Sequence, residues 1–148
     1  MKPEKIIIHH SLTKDSETVS WGAIRKYHVE TLGFSDIGYH AGCENVGYGY
    51  SNHHYEVLYG RSWYLTGAHT IGQNDKSLGF CFVGNYDEEE PPRDMLVSGA
   101  KLIYLWMTLY NIPIEEIYGH SHFADYKSCP GTKFDIEVLK SIIEGIWL

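Results

Sequence analysis

The chain lacks any apolar run that approaches the roughly 18 residues of a membrane span, which excludes a hydrophobic spanning helix. It is short of positive charge. Twelve Lys and Arg stand against nineteen Asp and Glu, a net charge of −7, so no basic face is on offer to nucleic acid. It is short of cysteine as well: Cys43, Cys81 and Cys129 are odd in number and scattered, which argues against a disulfide framework. Repeats, linkers and low-complexity segments are absent. The opening Met1-Lys2-Pro3-Glu4-Lys5 has neither the apolar h-region nor the small-residue cleavage site of a signal peptide. The expectation is a protein that starts in the cytoplasm and reaches any external substrate only if something else releases it. What is present is 148 residues with 43% hydrophobic content, which fits one monomeric domain over 1–148. A core of that size folds without disulfides or a structural metal.

The chemistry gathers near the C-terminal end, in Gly119-His120-Ser121-His122-Phe123-Ala124-Asp125-Tyr126-Lys127-Ser128-Cys129-Pro130-Gly131. Two imidazoles, an ammonium and a thiol share one turn-rich stretch. Cys sulfur and His nitrogen suit zinc. A further donor has to come from elsewhere, and His9-His10, directly after Ile6-Ile7-Ile8, supplies a candidate. Two His and one Cys with a fourth position left to water is the pattern of a catalytic zinc rather than a structural one.

The order of elements predicts an α/β fold with a mixed sheet. Lys5 to Ile8 reads as a buried strand with His9 and His10 at its end, where open α/β sheets build their sites. Ser20 is placed to cap a helix through about Leu32, with Gly33 as its C′ residue. Asp36 to Gly42 reads as a short strand, Gly47 to Ser51 as a turn, and Tyr55 to Tyr59 as another strand. Trp63 to Asn74, rich in glycine and aromatics, reads as a loop that lines something. Leu78 to Val83, nearly all apolar and including Cys81, predicts a central strand buried on both faces. Asp87-Glu88-Glu89-Glu90 reads as a solvated loop. Pro91-Pro92 opens an amphipathic helix that ends at Asn111, before Ile112-Pro113. Ile114 to Tyr118 is an extended piece that delivers His120. Asp135 is placed to cap a last helix whose buried face is Val138, Leu139, Ile142, Ile143 and Ile146.

Five motifs in order carry a family resemblance: Ile-Ile-Ile-His9-His10-Ser11, Asp36-Ile37-Gly38-Tyr39-His40, Gly67-Ala68-His69 with Asn74, Gly79-Phe80-Cys81-Phe82-Val83-Gly84-Asn85, and Gly119-His120 leading to Lys127-Ser128-Cys129-Pro130-Gly131. Together they resemble the zinc-dependent N-acetylmuramoyl-L-alanine amidases of the phage T7 lysozyme and peptidoglycan-recognition-protein type, nearly end to end. The resemblance implies a mixed central sheet flanked by helices, and one zinc held by His9, His120 and Cys129. It implies catalytic roles for Tyr39 and Lys127. The substrate it implies is the peptidoglycan amide between the lactyl group of N-acetylmuramic acid and L-alanine. The biological setting it implies is a phage or prophage endolysin released at lysis by a holin, with a bacterial wall-recycling or remodelling enzyme as the alternative. One departure stands out. The family usually follows Gly-His with Arg and an acidic residue, whereas here Ser121 and His122 follow, and His122 becomes a rival ligand.

An amide is resonance-stabilised, so its hydrolysis needs an activated water and a counter-charge for the developing oxyanion. Zinc offers both, and an ammonium or phenol nearby adds to the second. His10, His40, His69 and Asn74 are expected to line the cleft or to support the donors, and His28 to pack. Trp63 and Tyr64 could stack on sugar faces or fill the core. Three other readings compete: a non-catalytic peptidoglycan-binding module on the same fold, a cysteine hydrolase with Cys129 as nucleophile and His120 as base, and a structural zinc held by His9, His120, His122 and Cys129.

Overall fold

Strand β1 (Lys5–His10) divides the molecule by its alternation, because successive side chains of a strand face opposite sides. Ile6 and Ile8 enter the main apolar core. Ile7 and His9 therefore take the other face. In the computed structural model, which describes residues 1–13, 21–47 and 54–146, β1 lies inside a five-stranded mixed sheet. Strands β4 (Ser77–Phe82) and β5 (Ile117–Gly119) flank it, both parallel. Strand β2 (Ala41–Asn45) runs parallel to β4, and β3 (Tyr55–Tyr59) closes the edge antiparallel to β2. The strand order is β3-β2-β4-β1-β5. All six residues of β4 are buried, as the apolar run 78–83 predicts.

Parallel strands need crossovers, and helices supply them. Helix α2 (Arg93–Tyr110) and helix α3 (Ile136–Gly145) cover the face that receives Ile6 and Ile8. Phe80 and Phe82 stand side by side there, with Trp106 edge-on to Phe80 and Phe134 against Phe82. Full burial of each such side chain contributes about 1.5–3 kcal/mol. Helix α2 ends at Asn111, which adopts the left-handed conformation (φ 55°, ψ 46°) and donates its N–H to the Met107 carbonyl. The stop is thus Asn111 itself rather than Ile112-Pro113. Asp135 caps α3 as predicted, accepting from the Glu137 N–H at 2.9 Å. The buried face of α3 is Leu139, Ile142 and Ile143, and Val138 instead points to solvent.

On the opposite face, helix α1 (Trp21–Lys26) runs into a π-helical turn, Tyr27–Thr31. The predicted uninterrupted helix through Leu32 is corrected here: Leu32 donates to the Tyr27 carbonyl, five residues back. The wider turn accompanies a tertiary bond, from the Gly38 N–H to His28 Nδ1 at 2.9 Å. The predicted cap, Ser20, lies outside the described residues, as do the residues after Gly47 in the predicted turn. Asp36 to His40 is loop, not strand, and extended pairing begins at Ala41. The Ile37 and Gly38 N–H groups bond to the Asp36 and His28 side chains, so no ladder is left for them to join. The predicted extended piece before His120 is a 3₁₀ turn over Ile114–Glu116 followed by β5. Among the described residues no helix is long and apolar enough to cross a membrane.

Candidate metal centre

Ligand crevices open at the C-terminal ends of parallel strands, and two strand ends meet here. Ile8 of β1 pairs with Gly119 of β5. The next residue on each chain, His9 and His120, therefore emerges beside the other, with ring centroids 4.7 Å apart. His120 opens a 3₁₀ turn, His120–His122. With three residues per turn, a residue two positions on leaves on a different side. His122 accordingly stacks on Tyr118 at 4.5 Å, exposed and away from His9. Cys129 is brought back by its carbonyl, which accepts the Ser121 N–H at 2.7 Å. The absence of a side chain at Gly119 matters for this approach, since a Cβ there would stand 2.8 Å from Cδ of Pro130. One donor atom each from His9, His120 and Cys129 then lies within 4.8 Å of the others, close enough to hold a metal ion.

His9 is engaged at both ring nitrogens. Its Nε2 lies 2.9 Å from His69 Nδ1, and its Nδ1 lies 3.7 Å from Cys129 Sγ. Thr70 Oγ1 joins the first contact, 3.1 Å from His69 Nδ1. Asn74 braces that loop, since its Oδ1 accepts both the His69 and Thr70 N–H groups at 2.8 Å. The His69 ring fits over β4 because residue 79 is glycine; a Cβ there would lie 2.6 Å from the ring. His10 faces the other way. Its Nδ1 accepts the Tyr86 N–H at 3.2 Å, while its backbone N–H donates to Cys129 Sγ at 3.4 Å. His40 accepts the Gly79 N–H at Nδ1 and donates from Nε2 to the Leu65 carbonyl, so it ties the loop to β4, with its ring 5.7 Å from that of His69.

Burial sets the protonation of this group. It pushes His9 well below the ordinary imidazole value, with His69, His120, His10 and Lys127 adding in that order. Burial brings His120 to about 4, helped by Lys127. His69 falls to about 3, through burial first and His40 second. All three rings are neutral at pH 7, the form in which imidazole ligates. Burial also pushes the Cys129 thiol up to about 11, against the opposing pull of the His10 N–H and Lys127. An unaided thiol of that kind is a weak nucleophile at neutral pH, which tells against the cysteine-hydrolase reading. A divalent cation would deprotonate it outright. Two neutral imidazoles and one thiol fit zinc. The structural-zinc reading lacks its fourth ligand, since His122 stands apart.

The three donors line a cleft of about 840 Å³ together with Tyr39 and Lys127. The Tyr39 ring sits 5.1 Å from His9 and 5.4 Å from His28. Burial, with Cys81 and Cys129 nearby, pushes its phenol well above the ordinary value, so its hydroxyl keeps its proton at pH 7. Lys127 is exposed at the rim. A second cavity of about 400 Å³ meets the first at His69, His120, Tyr126 and Lys127. Trp63 and Tyr64 line neither. Trp63 packs edge-on to Trp106 in the core at 5.6 Å, and Tyr64 is exposed. Sequence reasoning missed Thr70 and Asp87. The acidic run is a solvated loop as expected, but its first residue, Asp87, accepts from Ser128 and Thr132, on either side of Cys129. Nothing in four consecutive acids singles out the first.

Comparison with known proteins identifies the family and the fold. The sequence profile of the N-acetylmuramoyl-L-alanine amidase family matches residues 1–132. Peptidoglycan-recognition protein SC2 of Drosophila melanogaster is 31% identical over 138 residues, which cover 89% of this chain and 70% of that protein. Among solved structures, the endolysin N-acetylmuramoyl-L-alanine amidase LysCS from Clostridium intestinale superposes with a TM-score of 0.81 at 26% identity, over 97% of this chain and 84% of the other. A mutant of Drosophila PGRP-LB in complex with tracheal cytotoxin superposes with a TM-score of 0.75 at 28% identity, over 93% and 81% of the two chains. By its sequence and its mixed five-stranded sheet, the chain belongs to the N-acetylmuramoyl-L-alanine amidase family.

Proposed function

We propose that this protein hydrolyses the amide between N-acetylmuramic acid and L-alanine in peptidoglycan, with one zinc held by His9, His120 and Cys129. The observation that carries the reading is the convergence of those three donors, from both ends of the chain, on the floor of one cleft. When bound, zinc supplies a Lewis acid for the scissile carbonyl and acidifies a water. The chain's own residues do the rest. His69 and the His10 N–H orient His9 and the Cys129 sulfur. Tyr39, with its proton retained, donates a hydrogen bond where negative charge builds on the carbonyl oxygen. Lys127 adds positive charge at the rim. Fixed donors of this kind act most strongly in a site that excludes water.

The test is mass spectrometry of purified peptidoglycan after digestion. New L-alanine amino termini on free stem peptides are expected. New reducing sugar ends would mean a glycosidase, and intact walls that sediment with the protein would mean a binding module. Activity is expected to fall with a chelator and to return with added zinc. The likeness to an endolysin amidase supports a lytic setting, in which the enzyme is made in the cytoplasm and meets the wall after release.

A further inference from the structure

His9 and Cys129 stand 120 residues apart in the chain, and a third segment, 85–88, touches the surroundings of both. Tyr86 donates its N–H to His10 Nδ1 at 3.2 Å and accepts the Lys133 N–H on its carbonyl at 2.8 Å. Asp87 then straddles Cys129. Its Oδ2 accepts the Ser128 hydroxyl at 2.8 Å, one residue before the sulfur, and its Oδ1 accepts the Thr132 N–H at 2.8 Å, three residues after it. The Glu88 carbonyl accepts from Lys133 Nζ at 2.7 Å.

We propose that Asp87 is a positioning residue for the metal centre: its carboxylate clamps the Cys129 loop onto the end of β1, so that the sulfur is set beside His9 before any metal arrives. Both bonds are charge-assisted, the stronger class. A loop fixed in advance loses less conformational freedom when it binds, which raises affinity without a new contact at the metal. The other three acids of the run have no comparable geometry on this loop, so the role belongs to Asp87 and not to the local charge. The inference rests on the zinc reading above.

The test is the zinc dissociation constant of the purified protein, measured by competition with a fluorescent chelator. It compares wild type, Asp87→Ala, Asp87→Asn and Ser128→Ala, each checked by thermal melting of the zinc-free form. Loss of a partner that orients a ligand typically costs about 10–100-fold in metal affinity, and that loss is expected for Asp87→Ala. Asp87→Asn still accepts from Thr132 and can donate to Ser128 Oγ, so it is expected to restore most of the affinity; a purely electrostatic role would leave it as weak as Asp87→Ala, and a merely structural one would show as a lower melting temperature of zinc-free Asp87→Ala. Cobalt substitution adds a second readout, because the thiolate-to-cobalt absorption is expected to weaken in Asp87→Ala and to survive in Asp87→Asn. Equal zinc affinity in Asp87→Ala and wild type would overturn the clamp. If Asp87→Ala cannot be purified, Ser128→Ala decides, and an unchanged affinity there overturns it. A wild type that binds no zinc would instead sink the metal reading, and the clamp with it.

Discussion

His9 shows how much one side chain depends on its neighbours. Its ring could present either nitrogen to a metal, and the 2.9 Å contact of Nε2 with His69 leaves Nδ1 to face Cys129. Replacing His69 by alanine removes that choice. Zinc affinity is expected to fall about 10–100-fold, read by chelator competition, with the secondary structure unchanged. Tyr39 allows a sharper separation. Tyr39→Phe keeps the ring beside His9 and His28 and removes only the hydroxyl. Zinc content is expected to stay at the wild-type level while kcat drops by about 10²–10³, the cost of one lost oxyanion donor. A variant that retained full turnover would remove Tyr39 from the chemistry.

At the scale of elements, the sheet is the instrument that aligns donors. Register places Ile8 beside Gly119 on one side of β1, and His9 beside Cys81 on the other. The same strand β4 has to leave room for the His69 ring above Gly79. Gly79→Ala would put a Cβ 2.6 Å from that ring and force it to move. Overpacking of this kind costs about 1–3 kcal/mol. A lower melting temperature is expected, together with weaker zinc binding through the lost His69–His9 contact. Element ends were legible where a local residue does the work, as Asp135 does for α3. They were not legible where a tertiary bond intervenes. The loop at Asp36–His40 follows from Asp36 and His28 taking backbone N–H groups that a strand would have claimed, and the π turn after α1 accompanies the same His28 bond.

For the whole molecule, the imidazoles held neutral in the interior make stability depend on pH. Burial brings His40 to about 4 and His69 to about 3, whereas in the unfolded chain each takes its proton near 6.5. Between those values the unfolded state binds more protons, so stability falls as pH falls. The contribution is complete above about pH 6.5 and is lost progressively toward pH 4 and below. His40 alone is expected to make the protein about 2 kcal/mol less stable at pH 5 than at pH 7. Urea unfolding of the zinc-free protein at the two pH values checks this, and a flat response would show that the buried imidazoles, His40 among them, are not held neutral by the fold.

Donor chemistry and the alternation of β1 are local properties, and the sequence by itself determined them. Ile-Ile-Ile-His-His can only send His9 and His10 to opposite faces once it is a strand, and a His and a Cys beside a Pro-Gly turn are zinc-type donors in any fold. The apolar periodicity of α2 and α3 is local in the same sense. The family resemblance implied His9, His120 and Cys129 as the donors, but the physical reason that these three meet lies in the tertiary structure. His120 rather than His122 faces His9 because β5 pairs with β1 at one register and the 3₁₀ turn then swings His122 onto Tyr118. Thr70 and Asp87 gain their partners from segments far away in the chain. Contacts of that range depend on how strands lie side by side in the sheet, and no window of sequence holds that information.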